Sequence, residues 1–126
     1  MDVQAFLEEL PFVELLGIEI TEVGDGHATA VLEMREELSW SSGKLLAHGG
    51  VTFTLAETAG AAALLADNEP PVFTIDARID YITGSQGNLS ARADVVRDGT
   101  TTGITDVAVT DERGETVVSA TAVYKL

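Results

Sequence analysis

Cysteine is absent from the 126 residues and lysine nearly so, occurring only as Lys44 and Lys125. Without thiols there can be no disulfide, no thiolate metal site and no cysteine nucleophile. Lysine and arginine together number 7 against 21 acidic residues, a formal net charge of −14. Such a surface repels nucleic acid and anionic bilayers, so neither is expected as a partner. The richest apolar run, Val51 to Ala66, is too short to span a membrane and carries Glu57 within it. The first residues, MDVQAFLEELPFVELLG, lack the basic start of a secretory signal, so a cytoplasmic location is expected. Acidity joined to lysine scarcity also fits a halophilic protein, because concentrated salt screens most of the self-repulsion.

The chain reads as one domain, residues 1–126, of α+β class. Phe6, Leu10, Val13 and Leu16 fall at helical spacing, with Pro11 dividing that segment into two short pieces. GIEITE and HATAVLEM form a hairpin about Gly24-Asp25-Gly26, and residues 36–47 read as irregular. From about Gly50 to Ala66 the pattern is helical: Val51, Leu55, Ala59, Ala62 and Ala66 make one stripe. Phe53, Gly60, Ala61 and Leu64 make the opposite face apolar or small as well, so both faces need cover. After DNEPP come four strands, with turn signals at 84–87, 98–99 and 112–114 read as hairpin turns. A curved antiparallel sheet of about six strands around one long helix is the economical arrangement. A second copy of the chain, packed on the far helix face, is the expected cover there.

Within that helix Glu57 falls on the face opposite the Leu55 stripe. Burying a lone carboxylate costs several kcal/mol unless it is paired or protonated. Glu57 is therefore either an ion-paired or edge residue, or a working general base or nucleophile. His48-Gly49-Gly50 opens the same helix. Glycines there let a ligand approach the backbone, and first-turn N–H groups lacking intrahelical partners make an oxyanion site. Gly50 and Glu57 stand seven residues apart, about 10 Å along the axis. One helix cannot easily supply both groups to one carbonyl, whereas two antiparallel copies can, with Gly60 and Ala61 permitting close approach. A composite site at a dimer interface follows. Other chemistries find no support. His27 reads as a surface residue, two histidines so placed make no metal site, and no Gly-x-Ser-x-Gly occurs. The glycines at 84–87 lack the Lys-Ser/Thr of a phosphate loop.

HGGVTFTLAETAGAAA resembles the central-helix motif of the hotdog-fold acyl-CoA thioesterases, particularly the PaaI-type, phenylacetyl-CoA thioesterase-like branch. ARIDYITGSQGNLSARADVVRDG and VTDERGETVVSATAVY are similar to strand segments of that family. The resemblance implies a hotdog fold, a homodimer or homotetramer, and hydrolysis of acyl- or aryl-CoA without metal or cofactor. It also implies that the Gly50 N–H, with Gly49 nearby, polarises the thioester carbonyl while Glu57 is nucleophile or base. His48 would orient the loop or substrate, and Thr58, in the Thr-Ala continuation, would lie at the substrate. Where that family commonly has an asparagine this chain has Ser42, a weaker candidate to bind substrate, and Leu45 replaces a usual glycine. Coenzyme A is polyanionic, so basic partners are needed, and Arg78, Arg92 and Arg97 are available. Each is equally suited to a surface ion pair. The alternative function is a non-catalytic hotdog module that binds acyl or aromatic ligands, which has little reason to keep Glu57.

Overall fold

The chain begins with two short helices whose ends follow from local chemistry. Asp2 accepts the Ala5 amide at 3.0 Å and caps α1 (Val3–Glu8). Pro11 occupies the first turn of α2 (Pro11–Leu16), where its missing N–H costs nothing. Gly17 ends α2 in the left-handed conformation, φ 76°, which glycine adopts without penalty. In this computed structural model, which describes residues 1–126, there follow β1 (Ile18–Gly24), β2 (His27–Leu32) and α3 (Gly49–Leu65). β3 (Phe73–Tyr81), β4 (Leu89–Asp98), β5 (Thr102–Thr110) and β6 (Thr116–Lys125) complete the fold.

All six strands join one sheet in the order β1-β2-β4-β5-β6-β3, every neighbouring pair antiparallel. The sheet curls around α3. Its inner face on β2 and β4 is alanine-rich, with Ala28, Ala30 and Ala93 fully buried, so the helix can sit close. Leu55, Ala59 and Ala62, each fully buried, fill that space. The expected α+β class, curved sheet and long central helix are what the chain forms. No helix is long and apolar enough to cross a membrane.

Two expectations need correcting. The glycine-rich stretch 84–87 is not a hairpin turn, because β3 pairs with β6 at the far edge of the sheet and not with β4. Residues 82–88 instead cross over, and hydrogen bonds to the β5–β6 turn hold them. Gln86 N–H donates to Asp111 Oδ2 at 2.9 Å, and the Arg113 guanidinium donates to Gly84 O at 2.9 Å. The second correction concerns the far face of α3. Gly60 does not await another helix: a Cβ there would lie 2.4 Å from Tyr124 Oη and 2.5 Å from Thr105 Oγ1. Leu64 and Ala61 pack with Ala122 and Tyr124 of the chain's own β6. The sheet curves far enough to cover most of both helix faces.

What stays uncovered is a narrow stripe. Between residues 50 and 65 of α3, only Gly50, Phe53, Thr54 and Glu57 are not buried. Their spacing of three and four residues places them in one line along the helix. β3, at the sheet edge, is also open. Phe73, Ile75 and Tyr81 remain 59%, 57% and 54% exposed, although their alternation reads as a buried face.

Candidate active site

The start of α3 is built by its own cap. His48 Nδ1 accepts the Gly50 N–H at 2.9 Å, and His48 O accepts from Val51 N at 2.8 Å. An Nδ1 that accepts leaves the neutral ring's proton on Nε2. Gly50 N–H is therefore engaged, while no partner holds Gly49 N–H. Gly49 meets another group from behind: Tyr81 Oη donates to Gly49 O at 2.9 Å. A Cβ on Gly49 would touch the Tyr81 ring at 3.2 Å. Beside this helix start lies a cavity of about 330 Å³, lined by Trp40, Gly49, Thr52, Tyr81, Thr83 and Ser85 among others. Ser85 Oγ, buried there, has no hydrogen-bond partner.

Two turns further along, Glu57 is half-buried and held from two sides. Thr74 Oγ1 donates to Glu57 Oε1 at 2.7 Å, and Tyr124 Oη donates to Glu57 O at 2.7 Å. Burial first, and the nearby Glu57 carboxylate second, push the Tyr124 phenol well above its ordinary range. It stays a donor at any working pH. Glu57 also borders a second cavity, of about 250 Å³, in which it is the one ionisable group. Thr58 lines that cavity beside it and is itself buried.

The remaining sequence candidates lie elsewhere. Ser42 is exposed in the loop before α3 and makes no hydrogen bond. Arg78 is 81% exposed on β3 and pairs with Asp80 at 3.4 Å. Arg92 is on the outer face of β4 and pairs with Asp94 at 3.1 Å. Neither arginine lines the cavities beside Gly49 or Glu57. His27, at the start of β2, is paired with Glu22.

Sequence reasoning passed over Thr74, Tyr81 and Tyr124, which position the helix and its carboxylate. One signal was available. A glycine inside a helix costs about 1 kcal/mol against alanine and usually marks a close approach. At Gly60 the approaching atom is the phenol that reaches the Glu57 carbonyl. Gly60→Ala gains that propensity but overpacks the contact, at a cost of about 1–3 kcal/mol. A net loss of roughly 1 kcal/mol is expected, read as a melting temperature lower by a few degrees. An unchanged or higher melting temperature would show that Tyr124 gives way freely.

Comparison with known proteins bears on the family and the fold. A family profile of the thioesterase superfamily matches residues 46–118, from just before His48 to β6. A protein of Halobacterium salinarum that carries an esterase name is 30% identical over 112 residues, covering 85% of this chain and 74% of its own. The crystal structure of a thioesterase-superfamily protein superposes with a TM-score of 0.91 at 30% identity, covering 98% of this chain and 95% of that one. The Escherichia coli PaaI protein, from the phenylacetic acid degradation operon, is 25% identical. It superposes at 0.84 over 96% of this chain and 87% of its own.

Proposed function

Because this chain belongs to the thioesterase superfamily, we propose that it hydrolyses acyl-CoA thioesters at a site completed by a second subunit. The observation that carries this reading is the open stripe of α3, with a helix-start N–H at one end and an anchored carboxylate at the other. The two ends are about 10 Å apart along one helix, too far to share a carbonyl. An antiparallel second α3 sets the Gly49–Gly50 end of one copy against Glu57 of the other. The exposed apolar residues of β3 supply an edge on which two copies can continue the sheet.

At such a site the thioester oxygen lies against the Gly49 N–H, and against the Gly50 N–H once His48 turns aside. Glu57 of the neighbouring copy takes a proton from water as the hydroxyl oxygen bonds to the acyl carbon. Charge gathers on the carbonyl oxygen, where the amides and the helix dipole stabilise it. Collapse breaks the carbon–sulfur bond, and the carboxyl returns its proton to the departing thiolate. In the nucleophilic variant a Glu57 oxygen bonds to the acyl carbon and the carbon–sulfur bond breaks to release the thiolate. Water then cleaves the anhydride to the free acid and the Glu57 carboxylate, and the water's other proton goes to the thiolate. Thr74 engages only one carboxylate oxygen, leaving the other free for either route.

The test is thiol release from acyl- and aryl-CoA substrates in dilute buffer and in concentrated potassium chloride, where the acidic surface suggests the protein works. Sedimentation run alongside activity tests the composite site. Specific activity should fall on dilution in step with loss of the dimer, and a fully active monomer would sink the two-subunit site. One observation favours a second reading, a non-catalytic ligand-binding module: the Gly50 N–H is already satisfied by His48. No thiol release from any substrate, with acyl ligands still bound, would favour it.

A further inference from the structure

The cavity bordered by Glu57 has walls that the helix motif does not foretell. Phe6 and Leu10 of the N-terminal segment and Val13 of α2 close one side. Ala61 and Leu65 of α3 and Phe73 of β3 close the others. Apart from Glu57 and Thr58 every lining side chain is apolar. Water gains little in such a space, whereas a hydrocarbon group gains contact with every wall. Size then limits the occupant. A dry apolar cavity of about 150 Å³ accepts a benzene ring. A volume of about 250 Å³ leaves room for one ring with a short linker, or an aliphatic chain of similar bulk.

We propose that this cavity receives the acyl group of the thioester, and that α1 and α2 set its upper size at one ring or a medium aliphatic chain. The inference rests on the thioesterase reading, since the carboxylate that borders the cavity is the one assigned to the reaction. The second cavity, beside Gly49, is larger and lined with more polar residues, among them Thr52, Thr83 and Ser85. It suits the other arm of the substrate, whose thiol-bearing chain contains amides. Leu10, Phe6 and Val13 lie outside residues 46–118, which the superfamily profile matches. Specificity is thus assigned to a part of the chain separate from the reacting groups.

The experiment is a chain-length series: acetyl-, hexanoyl-, benzoyl- and palmitoyl-CoA, measured as kcat/KM and as binding of the matching free acids by calorimetry. Each added methylene should raise kcat/KM about threefold to fourfold until the cavity is full. Palmitoyl-CoA should fall at least about tenfold below the optimum, a loss read directly from the series. Phe6→Ala should move the optimum to longer chains. Leu10→Trp, at a position 38% exposed and tolerant of bulk, should move it to shorter ones. A flat profile in both measurements, or an optimum unmoved by Leu10→Trp, overturns the assignment. No hydrolysis with a size-selective binding profile would defeat the thioesterase reading and leave the cavity's role standing.

Discussion

Glu57→Gln should lower kcat for thioester hydrolysis by about 10²–10⁴-fold while changing KM little. Glutamine preserves the length of the side chain, and its amide oxygen can still accept the Thr74 hydroxyl that now lies 2.7 Å from Oε1. The backbone carbonyl keeps its bond from Tyr124. Only the ability to take or share a proton, or to attack a carbonyl, is removed. A variant that folds, dimerises and binds acyl ligands normally but turns over slowly is therefore the expected product. Equal rates for the two proteins would remove Glu57 from the reaction. Mixing Glu57→Gln with a helix-start variant such as Gly50→Pro carries the test further, since that change removes one of the two helix-start N–H groups and leaves only that of Gly49. In a two-subunit site each impaired parent contributes one intact half, and the mixed dimer should exceed the activity of either parent alone.

The largest stability loss is expected at Asp111. Its carboxylate is buried in the β5–β6 turn and accepts from the backbone N–H groups of Gln86 and Arg113, both at 2.9 Å, and of Glu115 at 3.3 Å. The Arg113 guanidinium completes the set at 2.7 Å. Burial alone would raise its pKa, yet the Arg113 bond and the three amides outweigh it and hold the carboxyl below the ordinary range. Asp111→Ala strips several donors of their acceptor and should cost about 3 kcal/mol, a large share of the 5–15 kcal/mol typical of a domain. Denaturant titration measures it, and a loss under about 1 kcal/mol would contradict this account. The sign of the pH effect follows. A folded-state pKa below the unfolded one means the contribution is whole above the unfolded value, about 3.9. It is lost as pH falls through the folded value, so the wild-type advantage over Asp111→Ala should shrink only under acid conditions.

Much of the fold was legible because its signals are local. Pro11 divides the first helix, Gly24-Asp25-Gly26 turns the first hairpin, and alternation marks the strands. The partner of β3 was not legible. Glycines at 84–87 carry the chemistry of a tight turn whether the next strand lies alongside or across the sheet, and pairing with β6 is a long-range choice. The same distinction runs through the site. Glu57 and Gly49-Gly50 announce themselves by position in a helix, since a charge and two glycines are costly there. Thr74 and Tyr124 look like ordinary strand residues and reach Glu57 only because the sheet curves around the helix. Gly60 was visible, but helical arithmetic could not say whether a sheet or a second helix approached it. Arg78 and Arg92 were named by charge alone, and charge says nothing about which face of a strand carries it.

The position of β6 between β5 and β3 has a consequence for biosynthesis. At a translation rate of roughly 5–20 residues per second, β1, β2, α3, β4 and β5 all leave the ribosome before β6 exists. Until residues 116–125 emerge, β3 has no strand to pair with, and the Tyr124 hydroxyl that binds the Glu57 carbonyl is missing. Until then the early-made helix carries the Glu57 carbonyl without its phenol partner. β6 then joins β3 to the sheet and brings Tyr124 to the Glu57 carbonyl, so the edge strand and the support of the carboxylate's backbone arrive together.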